Sequence, residues 1–252
     1  MKITFLGTGT STGVPEVGCK CAVCTSTDKR DNRLRTSLLV EIDDIRILLD
    51  CGPDFRQQMM DIDFRKLDGV LLSHEHYDHV GGIDDLRPFT RHGDINIYCE
   101  PKVANAIHTR MPYCFGASLY PGVPKISLNE IKPDEDFYIG ITKITPIRVM
   151  HGKLPILGYR IGNMAYLTDA SQIPEEEYKK LTGLKMLVIS ALRYKEHISH
   201  QNLEEALAQA ERIGADKTYF IHMSHDIGLH DNTNATLPKN ITLSYDGLVI
   251  EG

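Results

Sequence analysis

Apolar residues fall in short blocks along the chain, separated by turn-forming residues. Lys2–Leu6 reads as a strand that runs into the Gly/Thr-rich stretch Gly7–Gly13. Thr36–Ile42 and Ile45–Asp50 read as a hairpin turning at Asp43-Asp44, and Leu67–Ser73 as a buried strand. Pro53–Met60 and Pro101–Met111 predict helices with proline in the first turn, Gly82–His92 begins another, and Ile95–Cys99 is a strand. Phe137–Val149 predicts one or two strands, and Leu157–Ile161 with Met164–Thr168 a hairpin around Gly162-Asn163. Pro174–Leu181 predicts a helix, Lys185–Ser190 a strand, and Gln201–Ile213 a helix. In that last helix Leu203, Ala206, Leu207 and Ala210 share one face, with Gly214 as its C-cap. Lys217–Ile221 and Ile241–Ile250 supply the last strands. The four prolines of Pro112–Pro133 predict an irregular surface loop. No linker or 20–50-residue repeat interrupts the pattern, so residues 1–252 read as a single domain. Strands and then helices recur in both halves, which predicts an α/β fold of two sheets between helices, the site at their shared edge.

Composition narrows the picture. With 252 residues, 42% hydrophobic and 25% charged, the chain can bury a sizeable core and is not disordered. A net charge of -6 argues against a general nucleic-acid binder. The N-terminal apolar run is too short for a secretory leader, and Met186–Leu192 is too short to span a bilayer. Six cysteines without an export signal predict reduced thiols and a cytoplasmic setting. Eleven histidines are the unusual feature.

Those histidines carry the chemistry. Ser73-His74-Glu75-His76-Tyr77-Asp78-His79 follows an apolar strand and precedes Gly81-Gly82. Imidazoles and a carboxylate at this density are a natural ligand set for zinc, manganese or iron. In extended chain His74 and His76 project to one side, with Asp78 and His79 beyond the turn, so one short loop can serve two metals.

This HxHxDH run with Gly-Gly after it resembles the metallo-β-lactamase-fold hydrolases, and the similarity spans essentially the whole chain. It implies a four-layer αββα sandwich with further ligands at strand ends, here His151, Asp169 and His222. Carried over, His74, His76 and His151 hold one divalent metal. Asp78, His79 and His222 hold a second, and Asp169 bridges them. Zinc and manganese suit these ligands equally, and a bridging water would become the nucleophilic hydroxide. Asp78 also serves as a catalytic residue that orients this hydroxide or takes its proton.

The spacing Cys19-x-Cys21-x-x-Cys24 offers three thiolates and needs a fourth ligand for tetrahedral zinc, with His225 the candidate. This loop and the late His222-x-x-His225 pair are similar to the phosphoribosyl cyclic phosphodiesterases of phosphonate degradation. In that branch the three cysteines and second histidine hold a structural zinc. The same resemblance makes His200 a catalytic proton donor or phosphate ligand that does not bind metal. His197 is a weaker version of the same candidate, and His92, His108 and His230 have no supporting spacing. Gly7–Gly13 lacks a P-loop ending and reads as a flexible loop at the site mouth; Arg33, Arg35 and Thr36 are candidate substrate contacts. Cys51, Cys99 and Cys114 read as apolar fillers.

The expected activity is a metal-dependent phosphodiesterase acting on a small phosphodiester, cyclic phosphates included. Two alternatives share the metal motif: a tRNA 3′-processing endoribonuclease and a thioester hydrolase. The expected partner is a small phosphorylated substrate and not a membrane, and the net charge disfavours nucleic acid; a homodimer is implied by the resemblance alone. Specificity is expected in Met111–Pro124 and Leu229–Lys239.

Overall fold

The computed structural model describes residues 1–115 and 122–251. Fourteen strands are assigned in it. The first seven are β1 Lys2–Gly7, β2 Ser37–Ile42, β3 Ile45–Leu49, β4 Gly69–Leu71, β5 Ile95–Cys99, β6 Ile126–Glu130 and β7 Phe137–Ile139. The others are β8 Thr142–His151, β9 Leu154–Ile161, β10 Met164–Leu167, β11 Met186–Ser190, β12 Lys217–Ile221, β13 Ile241–Leu243 and β14 Val249–Glu251. They form two mixed seven-stranded sheets, ordered β14-β1-β2-β3-β4-β5-β6 and β13-β12-β11-β10-β9-β8-β7.

Side-chain alternation turns these sheets into four layers. Ile3, Phe5, Leu38, Val40, Ile47, Leu49 and Leu71 of the first sheet meet Leu157, Tyr159, Ile161, Met164, Tyr166, Val188 and Ile221 of the second in a shared core. The opposite faces are covered too. Leu39, Leu48, Val70 and Leu72 pack beneath α1 (Phe55–Met59), a 3₁₀ stretch Ile83–His92 and, beyond α2 (Tyr77–Val80), α3 (Pro101–Arg110). Ala165, Leu187, Ile189 and Phe220 pack beneath α4 (Leu203–Ile213) and a 3₁₀ stretch Glu175–Leu181. Burial on both faces explains why the central strands are continuously apolar. The αββα sandwich implied by the resemblance is the observed fold.

Local signals held in several places. The first hairpin turns at Asp43-Asp44, where Ile42 pairs with Ile45, and Ile161 pairs with Met164 across Gly162-Asn163. α4 starts at a capping box of Asn202 and Glu205 and ends at Gly214, φ +68°. The expected helices Gly82–His92 and Pro174–Leu181 are instead 3₁₀; in the first, Pro88 has no N–H to give an α-helical ladder. Within the expected loop Pro112–Pro133, Ile126–Glu130 forms an edge strand parallel to β5, bracketed by Pro124 and Pro133. The specificity loop expected at Met111–Pro124 lies partly outside the described residues. The other one, Leu229–Lys239, contains a short helix, α5 (His230–Asn234). The expected strand Ile241–Ile250 divides: β13 joins β12 in one sheet and β14 joins β1 in the other. A turn at Tyr245–Leu248, with Gly247 at φ +86°, makes that crossing.

The Gly7–Gly13 segment is not a flexible rim. Gly9 bridges both Arg35 and Met223, and Thr8 and Thr10 are buried. This segment ties the two sheets together at the end of the sandwich where the histidines gather.

Candidate metal centre

Four of the candidate ligands sit at or just beyond strand ends, while Asp78 and His79 lie in the short helix α2 that follows the His74–His76 loop. β4 leads to Ser73 and His74, β8 ends at His151, β10 precedes Asp169, and β12 precedes His222. Three residues at these ends have left-handed backbones: Asp50 (φ 58°), Asp169 (φ 56°) and His222 (φ 57°). Such conformations cost about 1–3 kcal/mol each outside glycine and concentrate at functional sites. Each is held by neighbours. The Ser190 hydroxyl accepts from Asp169 N (2.6 Å), and Met223 N donates to Thr8 O (3.0 Å) just after His222.

Two donor groups result, each with its ligand atoms within 4.8 Å of one another: His74, His76 and His151 in one, Asp78, His79, Asp169 and His222 in the other. His74 Nε2 faces His76 Nδ1 at 3.0 Å. His79 Nε2 lies 3.2 Å from Asp78 Oδ2 and 3.4 Å from Asp169 Oδ1; His222 Nε2 lies 3.5 and 3.2 Å from the same atoms. Asp169 turns its other oxygen, Oδ2, toward His74 Nε2 and His200 Nδ1, both at 3.9 Å. One carboxylate therefore faces both groups.

The donor chemistry fits divalent cations. The outer nitrogen of His151, Nδ1, donates to Ser199 O (2.8 Å), and that of His79 donates to Asp50 Oδ2 (2.8 Å). A carbonyl and a carboxylate only accept, so both rings keep a proton on Nδ1 and turn Nε2 inward as the free ligand atom. The His79 Nε2 faces carboxylate oxygens, is buried and has no hydrogen bond, so the position favours positive charge, a proton on the ring or a cation between the ring and the carboxylates. The 3.0 Å between ring nitrogens is close to the roughly 3.3 Å edge of a tetrahedron with 2.0–2.1 Å metal–nitrogen bonds.

The buried charges of the site oppose one another. Burial pushes the His74 imidazole well below its ordinary pKa. Burial also disfavours charge on His79, yet Asp169, Asp78 and Asp50 hold its imidazolium well above the ordinary value. Burial likewise opposes ionisation of Asp169, but His222 and His79 keep its carboxyl well below the carboxylate range.

His200 reaches the same space. Its ring stacks on His222 with centroids 5.0 Å apart and stands 4.5 Å from that of His151. Its Nδ1 is buried without a hydrogen bond, and with His151 and Asp169 it forms a further group at ligand distance. Burial, reinforced by the charge of His222, pushes His200 down to about 3. His197 stays at the rim, ring centroid 5.0 Å from that of His200.

The second cluster is assembled as well: Cys19, Cys21, Cys24 and His225 converge within 4.8 Å, with Cys24 Sγ 3.2 Å from His225 Nδ1. Glu16 N and Cys24 N donate to the sulfurs of Cys24 and Cys21 (both 3.4 Å). Cys51, Cys99 and Cys114 are buried, apart from either cluster.

Of the expected substrate contacts, Arg33 and Thr36 point inward instead. Arg33 is buried against Thr8, Ser244 O and His230, and the Thr36 hydroxyl donates to Gly9 O. Their place on the short run between the first loop and β2 carries them under the sheet. Arg35 stays partly exposed, paired with Asp54 and donating to Ser11 O. Sequence reasoning missed Asp50, the acceptor for His79. The one signal in the sequence was an acidic residue closing the apolar run Ile47–Leu49.

A sequence profile described as a β-lactamase superfamily domain matches residues 45–223. The chain belongs to that superfamily. It has the metallo-β-lactamase fold and falls in the PhnP branch. A solved diphosphatase of the PhnP family superposes with a TM-score of 0.92 at 38% identity, covering 99% of this chain and 96% of that one. An octanoyltransferase of Porphyromonas gingivalis is 49% identical over 250 residues, 98% of this chain but 51% of that protein. The chain thus spans about half the length of that relative. Zinc-bound PqqB from Methylobacterium extorquens shares the fold (TM-score 0.80, 20% identity, 100% of both chains).

Proposed function

We propose that this protein is a dinuclear metal-dependent phosphodiesterase acting on a small phosphodiester, a cyclic phosphate or the related diphosphate linkage. The observation that carries the reading is the sharing of Asp169 between two donor groups. His74, His76 and His151 would hold one cation, Asp78, His79 and His222 the second. When bound, such a pair of cations supplies acidification of a water and neutralisation of phosphate oxygens.

The chain's own residues do the rest. Asp169 spans the two positions and fixes their separation. Asp78 directs Oδ2 to His79 and His222 and leaves Oδ1 to orient the attacking water or take its proton. His200 has an uncommitted Nδ1 beside Asp169 and is neutral before substrate arrives, so it first donates a hydrogen bond to a phosphate oxygen. With the phosphate's negative charge beside it, the ring takes up a proton from solvent and passes that proton to the leaving oxygen as the P–O bond breaks. The solved PhnP-family diphosphatase supports phosphate chemistry.

A second reading is hydrolysis of an acyl thioester, favoured by the octanoyltransferase relative that contains this chain's counterpart as half its length. The deciding experiment is turnover by the zinc- or manganese-loaded chain of bis(p-nitrophenyl) phosphate, a cyclic nucleotide, a dinucleoside diphosphate, a phosphomonoester and an octanoyl thioester. Diester or diphosphate cleavage is expected. Cleavage of the thioester alone would replace the first reading with the second. Transfer RNA binding that falls steeply with salt would point to the nuclease, against the net charge of -6.

A further inference from the structure

One buried carboxylate stands behind both candidate metal positions. Asp50 is fully buried, and each group around it is a donor or can be one. Its Oδ1 accepts from Ser73 N (2.8 Å). Its Oδ2 accepts from His79 Nδ1 and from the Tyr166 hydroxyl, both at 2.8 Å. The Ser73 hydroxyl lies 2.9 Å from both oxygens. Tyr166 comes from the opposite sheet, so the carboxylate is clamped from both layers.

The Ser73 hydroxyl has one proton and two claimants, because His74 Nδ1 lies 3.0 Å from the same oxygen. A carboxylate is the stronger acceptor, and charge-assisted hydrogen bonds are about twice as strong as neutral ones. The proton therefore goes to Asp50. The serine oxygen is then left as an acceptor, which selects the tautomer of His74 with its proton on Nδ1. That tautomer presents a bare Nε2 to His76 and Asp169.

We propose that Ser73 is a positioning residue, relaying the charge of Asp50 to His74 so that one anion sets the ligand-ready tautomer in both metal positions: directly at His79, through a hydroxyl at His74. The inference rests on the two-metal reading. Ser73 touches neither substrate nor metal in it; its effect is on the basicity and direction of His74. Outer partners of this kind are worth about 10–100-fold in metal affinity.

The test uses the full chain loaded with zinc. Zinc affinity is measured by competition with a chelator for wild type and Ser73→Ala, with thermal unfolding alongside. Imidazole N–H resonances are read on ¹⁵N-histidine-labelled protein. Wild type is expected to show a slowly exchanging Nδ1–H for His74. Ser73→Ala is expected to lose that protection and bind the active-centre zinc at least about tenfold more weakly. Zinc at the cysteine loop stays unchanged. Wild-type affinity and a protected Nδ1–H in Ser73→Ala would overturn the relay. If the variant does not fold, wild type alone decides: His74 joined to zinc through Nδ1, with its proton on Nε2, overturns it. A wild-type chain that takes up zinc only at the cysteine loop instead overturns the two-metal reading.

Discussion

At the scale of single residues, a histidine's role follows from what its outer nitrogen touches. His79 and His151 each spend Nδ1 on a strict acceptor and turn Nε2 toward the centre. His230 is the opposite case. It is buried, and its Nδ1 lies 3.3 Å from Arg33 Nη2, which can only donate, so the ring is neutral. Burial, then the charge of Arg33, holds its pKa down to about 4. An unfolded histidine titrates near 6.5. The unfolded chain therefore binds the proton first, and the stability His230 contributes above pH 6.5 is lost as pH falls toward 4. Wild type should lose about 3 kcal/mol from this group by pH 4. His230→Gln keeps an acceptor for Arg33 without a titration, so its urea midpoint should vary less over that range. Parallel pH profiles for the two chains would show that His230 does not report this linkage. His76→Ala should lower diester turnover at least about 100-fold, a loss of roughly 2.7 kcal/mol or more in barrier terms, with the fold retained. His200→Ala should slow turnover and leave the active-centre metal count unchanged; loss of metal there would make His200 a ligand.

At the scale of elements, the centre depends on two loops touching backbone to backbone. The chain leaving β3 and the chain leaving the His74–His79 loop exchange Cys51 N to His79 O (2.8 Å) and Gly82 N to Cys51 O (2.9 Å). This approach sets Asp50 against His79. A Cβ on Gly82 would stand 2.0 Å from Gly52 O, and one on Gly52 2.1 Å from Asp78 O. Gly82 has an ordinary φ of -96°, so alanine is excluded there by contact alone. Gly82→Ala should cost about 2–3 kcal/mol and weaken zinc binding through the displaced Asp50–His79 pair. Gly183, at φ +69° with open space around it, is the control: alanine there should cost about 1–2 kcal/mol from backbone strain and leave zinc affinity alone. Equal zinc affinity in both variants would separate the loop contact from metal binding. These two scales also show what was legible in the sequence. The ligand run His74–His79 was readable because its members lie within six positions on one strand–loop–helix unit. Asp50, Ser73 and Tyr166 were not, because their role exists only once strands from distant parts of the chain are juxtaposed. The split of Ile241–Ile250 was hidden for the same reason: each half is a plausible strand, and only the partner sheet decides where it goes.

At the scale of the molecule, two clusters of candidate metal ligands sit at one end of the sandwich. Met223 bridges to Gly9 between them, while His222 faces the Asp169 group and His225, three residues on, faces the cysteine loop. A single turn after β12 thus supplies one ligand to each cluster. If the cysteine cluster holds zinc, it pins that turn and the Cys19–Cys24 loop to each other, and its effect on turnover passes only through the placement of His222. Metal analysis of the wild-type chain loaded with zinc should therefore return about three metals per chain. Cys21→Ser should return about two, because a thiolate is lost from a four-ligand site while the seven candidate ligands of the centre are intact. Its melting temperature should fall, since a metal bound only to the folded state stabilises by mass action and that contribution is gone. Diester turnover at a temperature well below the new melting point should stay within a few-fold of wild type, because His222 is also held by Met223 N to Thr8 O and Thr10 N to Met223 O. A wild-type count near two would remove the structural zinc. A Cys21→Ser chain that keeps its fold but loses the active-centre metals would show instead that the two clusters form one cooperative unit, with the turn from His222 to His225 as the link.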